Sequence, residues 1–215
     1  MALVFKWLLR ILSGLLVLGG LAIALVYYFA SRSLPDYTKD LQTGFVSAPV
    51  EIVRNNANVP HIFGEKDEDV FFGLGYAHAQ DRLWQMVTLR RTAQGRLSEV
   101  FGPSTVEIDQ LIRRLDIYPL SVQSVDALSE RTRSLMTAYA NGVNARINEV
   151  NTEALGRGAP EMFLFNAPIA PWRMADSLSI QRVMALQLAA HLEEDVLRAR
   201  VSLLVPDEKR LSDIM

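Results

Sequence analysis

The sequence predicts an α+β chain, mostly helical, with one short β-hairpin near its start and an apolar segment of membrane length ahead of it. Three observations carry this. Apolar residues recur at helical spacing over most of residues 67–204. Two β-rich runs, 50–54 and 59–63, are joined by Asn55-Asn56-Ala57-Asn58. Finally, the 21 residues from Ile11 to Ser31 contain no charge. The chain has 215 residues, half of them apolar, with 22 Lys+Arg against 24 Asp+Glu and no Cys. That is enough chain to bury a core in one domain or two small ones. It excludes a disordered charged tail, a disulfide scaffold, a thiolate metal site and a cysteine nucleophile. Lys6, Arg10 and Arg32 precede every acid, so the remainder is distinctly acidic and nucleic acid is not an expected partner.

The first element is the uncharged run. At about 1.5 Å per residue it spans about 30 Å, the hydrocarbon thickness of a bilayer. Lys6 and Arg10 before it place the N-terminus in the cytoplasm and the rest outside. Tyr27, Tyr28 and Phe29 suit the interfacial aromatic belt. Ala22-Ile23-Ala24 resembles a signal-peptide cleavage site, but the apolar run continues past it. Residues 1–31 therefore read as a membrane anchor or signal segment. An extracytoplasmic body follows, in the periplasm of a bacterial-type cell and held to the inner membrane by residues 11–31. Residues 32–44, polar with Pro35 and Gly44, read as a tether to a body over 45–215.

The hairpin comes next. Asn tolerates left-handed backbone angles, and Pro60, lacking an N–H, must begin its strand or lie on an edge. A helix follows from about Asp67, as its cap, to Gln94, with Gly95 past its end. Two adjacent apolar stripes on it, one through Val70, Leu74, Ala77 and Trp84, imply burial around much of its girth. Gly73 and Gly75 suit close packing. Asp81 falls among these apolar positions and needs a cation, for which Arg82, Arg90 and Arg91 are candidates. Ser104 and Glu107 read as a capping box opening a helix to about Tyr118. Another helix is expected over 125–150, a long loop over 151–171, and a last helix from Asp176 as cap to about Leu204. Because a two-stranded hairpin is barely stable alone, the strands are expected to join a sheet supplied elsewhere.

Within the chain, chemistry is sparse. There is no nucleophile elbow, Walker loop, His-Glu-x-x-His or dinucleotide fingerprint. His61 and His78 read as hydrogen-bonded structural residues. The run His191-Leu192-Glu193-Glu194-Asp195 is sharper, since adjacent acids repel unless a cation is near. Oxygen ligands there suit Ca²⁺, but one helix cannot supply six to eight of them. From spacing alone, a solvated acidic face is the plainer reading of the run, ahead of a metal site.

Residues 50–103 hold a more specific pattern. Val50-Glu51-Ile52-Val53-Arg54 and Val59-Pro60-His61-Ile62-Phe63 precede Gly73-Leu74-Gly75-Tyr76-Ala77-His78-Ala79-Gln80-Asp81-Arg82-Leu83-Trp84-Gln85-Met86. Arg91, Gln94-Gly95, Leu97 and Glu99 follow, then Asp109, Arg113 and Asn141-Gly142-Val143-Asn144. In this order they resemble the start of the penicillin acylase (penicillin amidase) family, and the similarity extends over everything from residue 46 onward.

The resemblance implies an N-terminal nucleophile hydrolase with an αββα sandwich, made as a precursor and cut into a smaller α and a larger β subunit. The nucleophile would be a serine at the new N-terminus of β, its own amine the base. An amine of pKa near 8 suits that role at neutral pH. This chain then reads as the α-subunit portion, incomplete and inactive without β, holding no catalytic residue and no organic cofactor. Alignment from Trp172 places acyl-pocket positions on Ala185 and Ala189, the family's substrate-contacting Arg on Leu188, and an acidic Ca²⁺ ligand, shared with β, on Asp195. Small residues at 185 and 189 imply a roomy pocket. The expected partners are the β subunit, an N-acylated small molecule and the membrane. Two other readings remain open at this point: a membrane-anchored helical binding or scaffold module, and an autonomous metallohydrolase using His191 and Asp195.

Overall fold

The computed structural model describes residues 2–152, 158–159, 162, 168–189 and 192–204. Among these the chain is mostly helical with one antiparallel two-stranded sheet, an α+β arrangement as the sequence predicts. The elements are α1 (Ala2–Ser33), β1 (Glu51–Arg54), β2 (Pro60–Phe63), α2 (Asp67–Ala93), α3 (Ser98–Phe101), α4 (Val106–Arg114), α5 (Ile117–Ser124), α6 (Glu130–Thr152), α7 (Met174–Leu188) and α8 (Leu192–Leu204). Contacts divide the chain into two compact units, one of residues 1–88 and 128–174, the other of 89–127 and 175–215.

In the first unit, α1 is long and apolar enough to cross a bilayer, and none of it is buried. The hairpin pairs Glu51 with Phe63 and Arg54 with Pro60, so Pro60 does begin its strand. Asn58 adopts the left-handed φ of 58° that makes the turn. Asn55 closes it by accepting from the N–H groups of Ala57 and Val59, both at 3.0 Å. Ile52 and Ile62 lie on the inner face, while Val53, His61 and Phe63 are exposed.

Helix α2 buries Phe72, Tyr76, Ala77, Ala79, Leu83 and Met86. It crosses α6 with almost no space between backbones. A Cβ on Gly75 would strike the Tyr139 carbonyl, and one on Gly142 the Phe72 carbonyl. Only glycine at both places permits the approach. The opposing face of α6 buries Ala138, Val143, Ile147 and Val150. Two asparagines one heptad apart on α6 then bind the returning chain. The Asn144 amide accepts from Trp172 N–H (2.6 Å) and donates to Trp172 C=O (2.9 Å). Asn151 does the same with Ile169, both at 2.9 Å. Each mimics one rung of a β-ladder and fixes residues 169–172 along the helix.

The second unit is built around Ala93, Ile112, Ile117 and Val183, with Leu186 against them. Gly95, at φ 61°, ends α2 as expected.

Several sequence expectations are corrected. Asp67 is the first helical residue and not the cap, since Lys66 C=O already accepts from Val70 N–H (3.1 Å); the Asp67 carboxylate binds Arg131 (2.9 Å). Ser104 makes no capping box: its hydroxyl donates to Phe101 C=O (3.3 Å) within a 3₁₀ turn over Gly102–Thr105. The helix expected to reach Tyr118 breaks at Asp116, which takes a left-handed φ of 50°. Helix α6 starts at Glu130, not 125. The last helix divides into α7 and α8, with Asp176 buried inside the first turn of α7. Asp81 pairs with Arg54, 27 residues back, and not with a neighbour on α2.

Candidate functional site

Helix α7 carries Ala185, and Ala189 directly follows its last residue; these are the two positions that the resemblance assigns to the acyl pocket. Its inner side buries Ala175, Asp176, Ser179 and Val183. Toward its C-terminal end the other side is solvent-facing and apolar: Met184 is 50% exposed, Leu188 79%, and Ala185 and Ala189, each directly following one of them, are also exposed. Ala189 N–H donates to Ala185 C=O at 2.9 Å, so the two share a face one turn apart. Leu188 lies on that surface and supplies no charge.

Besides the apolar packing of Val183 and Leu186, a buried ion pair holds α7 in the second unit. Asp176, 1% exposed, accepts from the Tyr118 hydroxyl (2.9 Å) and faces Arg90 Nη1 at 3.6 Å. Burial pulls the Arg90 pKa down, and the Asp176 charge opposes that shift. Breaking one side of such a pair leaves an uncompensated buried charge.

Asp195 lies on α8 and is exposed, as is Glu194. Hard carboxylate oxygens on an open helix face are the right donors for Ca²⁺. However, among the described residues no three acidic or imidazole side chains come together as a metal site. His191 lies outside the described residues.

The remaining histidines are placed as structural groups. His61 Nε2 is 3.4 Å from Asn55 Nδ2. His78 Nδ1 is 3.1 Å from the Tyr139 hydroxyl, and burial lowers the imidazole pKa. Tyr139 is pushed up to about 12 by burial. Tyr76 also rises to about 12, through burial and then the Glu149 carboxylate its hydroxyl meets at 3.1 Å. Both phenols stay protonated at neutral pH, and Tyr76 donates to Glu149.

Sequence reasoning missed the first unit's main charge cluster. Arg54 donates to both oxygens of Asp81 (3.0 and 2.9 Å), and its guanidinium lies 3.9 Å over the Tyr37 ring. The Tyr37 hydroxyl completes the group by donating to Asp81 (3.1 Å). A lone Arg in a strand and a lone Tyr in a polar stretch give no periodic signal, so only the fold reveals it. Beside it, residues 37–43 and 46–50, the hairpin and Phe72, Gly73, Tyr76 and Gln80 of α2 line an open groove of about 890 Å³.

The glycine-mediated crossing, the hairpin ahead of it and the α7 face are elements whose relatives can be sought. The sequence profile described as penicillin amidase matches residues 49–214. The chain belongs to the penicillin amidase family. Penicillin acylase 2 proenzyme of Pseudomonas sp. (strain SE83) is 34% identical over 161 residues, 74% of this chain and 20% of that protein. Penicillin G acylase of Escherichia coli is 37% identical over 130 residues, 60% of this chain and 14% of its own length. Acyl-homoserine lactone acylase QuiP of Pseudomonas aeruginosa is 35% identical over 149 residues, 68% of this chain and 17% of the relative. The chain thus spans about a fifth or less of the curated family members it matches. Among solved structures, thermostable penicillin G acylase from Alcaligenes faecalis aligns with a TM-score of 0.61 and 30% identity, over 77% of this chain and 88% of that one.

Proposed function

We propose that this chain is the α-subunit portion of an exported, membrane-anchored acylase, which hydrolyses the amide bond of N-acylated small molecules with a serine located in the remainder of the precursor. The observation that carries the reading is the outward apolar face of α7. Met184, Ala185, Leu188 and Ala189 form a helix surface suited to walling a cavity. Neither described histidine, His61 or His78, is hydrogen-bonded to a serine. Coverage supports the same view: the chain matches 88% of a solved penicillin G acylase chain but only 14–20% of proenzyme-length relatives.

On this reading the serine hydroxyl at the N-terminus of β attacks the amide carbonyl while the terminal amine takes its proton. That proton passes to the departing amine, leaving an acyl ester that water then opens. The α portion supplies the wall. Ala185 and Ala189 leave space where bulkier side chains would shorten the pocket, which favours medium fatty acyl chains over phenylacetyl. Acyl-homoserine lactones and β-lactam side chains are the candidate classes, as the relatives' names indicate for those proteins. Asp195 serves as one Ca²⁺ ligand, the others coming from β.

Expression of the complete reading frame tests this. The precursor should be cut to release a Ser-led chain, identifiable by intact mass, and the product should hydrolyse N-acyl substrates while residues 1–215 alone do not. Ala185→Phe should reduce kcat/KM for a medium-chain substrate at least about tenfold, roughly 1.4 kcal/mol, with little effect on acetyl substrates. Turnover by residues 1–215 unaided would end the proposal.

A further inference from the structure

We infer that the segment after α1 is a strap that seats the first unit directly on the outer surface of the bilayer, so that the headgroup layer is the partner of the face around Tyr37. This rests on the reading that α1 remains in the membrane. The argument is one of reach. A free tether over residues 32–44 would let the body range widely, since an extended chain covers about 3.5 Å per residue. The strap is not free. Its first attachment is Tyr37, bonded to Asp81 and covered by Arg54. Lys39 then faces Glu149 at 3.6 Å, Phe45 stacks on Phe72 at 6.3 Å, and Ser47 gives both N–H and hydroxyl to Asp69 at 2.8 Å. These contacts alternate along the strap and spread over α2 and α6, so the attachment does not depend on one bond.

Only Leu34, Pro35 and Asp36 separate the end of α1 from Tyr37. Counting from Ser31, two helical residues add about 3 Å, and four extended steps to Tyr37 about 14 Å at most. Asp36 shortens this further by accepting from the N–H (2.9 Å) and hydroxyl (2.7 Å) of Thr38, which turns the chain at once. Pro35 removes one rotatable φ from the same span. A ceiling of about 17 Å beyond the hydrocarbon edge, of which the headgroup layer takes about 6 Å, holds Tyr37 within about 10 Å of the outer surface. Leu34, 73% exposed, then lies at the interface and not in bulk water.

The complete protein, reconstituted in vesicles of phosphatidylethanolamine and phosphatidylglycerol, provides the test. A donor dye on Asn56→Cys, in the exposed hairpin turn, reports energy transfer to an acceptor on the lipid headgroups. A Gly-Ser spacer of about 12 residues between Leu34 and Pro35 adds about 20 Å of mean reach and should cut transfer at least twofold. Tyr37→Ala with Asp81→Asn, which frees the strap as far as Lys39 and Phe45, should shift transfer in the same direction by less. Equal transfer in native and spacer-bearing proteins, with α1 intact by mass, overturns this inference and leaves the anchor reading standing. Loss of residues 1–31 from the mature chain overturns both.

Discussion

Asp81 accepts from two guanidinium nitrogens of Arg54 and from the Tyr37 hydroxyl. Helical spacing put it among apolar positions with cations nearby in the chain. The fold gives it Arg54, whose side chain is only 10% exposed, and Tyr37. Asp81→Asn is expected to cost about 1–3 kcal/mol, because a nearly buried guanidinium loses its charge partner. Urea unfolding of the complete protein measures this, and coupling with Tyr37→Phe should exceed about 0.5 kcal/mol since both touch one group. Asp109 makes a pH prediction. Burial alone would raise its pKa, but bonds from the Ser98 hydroxyl (2.6 Å) and the N–H groups of Ser98 and Leu97 (both 2.8 Å) outweigh it, and the carboxyl lies below its ordinary 3.8. Its stabilisation is therefore complete above that value and lost as pH falls through the lower folded one. The protection of the Leu97 and Ser98 amides, taken relative to their intrinsic exchange rates at each pH, should fall in acid, and Asp109→Asn should show reduced protection already at neutral pH.

Among elements, the crossing of α2 and α6 sets the geometry of the first unit. The sequence signalled it weakly, through Gly73-Leu74-Gly75 and Asn141-Gly142, because glycine within a helix costs stability unless something approaches closely. The partners of Gly75 and Gly142 lie more than 60 residues away and no local pattern names them. Gly142→Ala should be destabilising by about 3 kcal/mol or more, since the added methyl meets backbone and not a movable side chain. Reduced soluble yield and a lower melting temperature of the complete protein would register it, whereas Gly44→Ala, in open space, should do neither. Helix ends were legible where backbone chemistry is local, as at Gly95. They were not where a left-handed residue such as Asp116 interrupts an otherwise helical pattern.

For the whole molecule, the exposed surfaces bear on its proposed incompleteness. One face of the hairpin presents Val53 and Phe63, and α7 and α8 present Met184, Leu188, Val196 and Leu197. Scattered exposed apolar residues are ordinary, but runs along a helix face and a sheet face are what an absent partner would cover. Residues 40–215 produced alone should therefore bind a hydrophobic dye and melt without cooperativity. A single sharp calorimetric transition would show that the body needs no β subunit.

The sequence by itself determined the family, the uncharged membrane-length segment, the hairpin turn and the extent of α2, because each depends on composition or on residues within a few positions. It also implied Ala185, Ala189 and Asp195 through resemblance. Only the tertiary structure decided that Arg54 answers Asp81, that Asn144 and Asn151 bind the returning chain, and that the supposed tether is fastened at Tyr37. Those contacts join residues far apart in the chain, and pairing at that range is chosen by packing and desolvation, which leave no periodic trace in a single sequence.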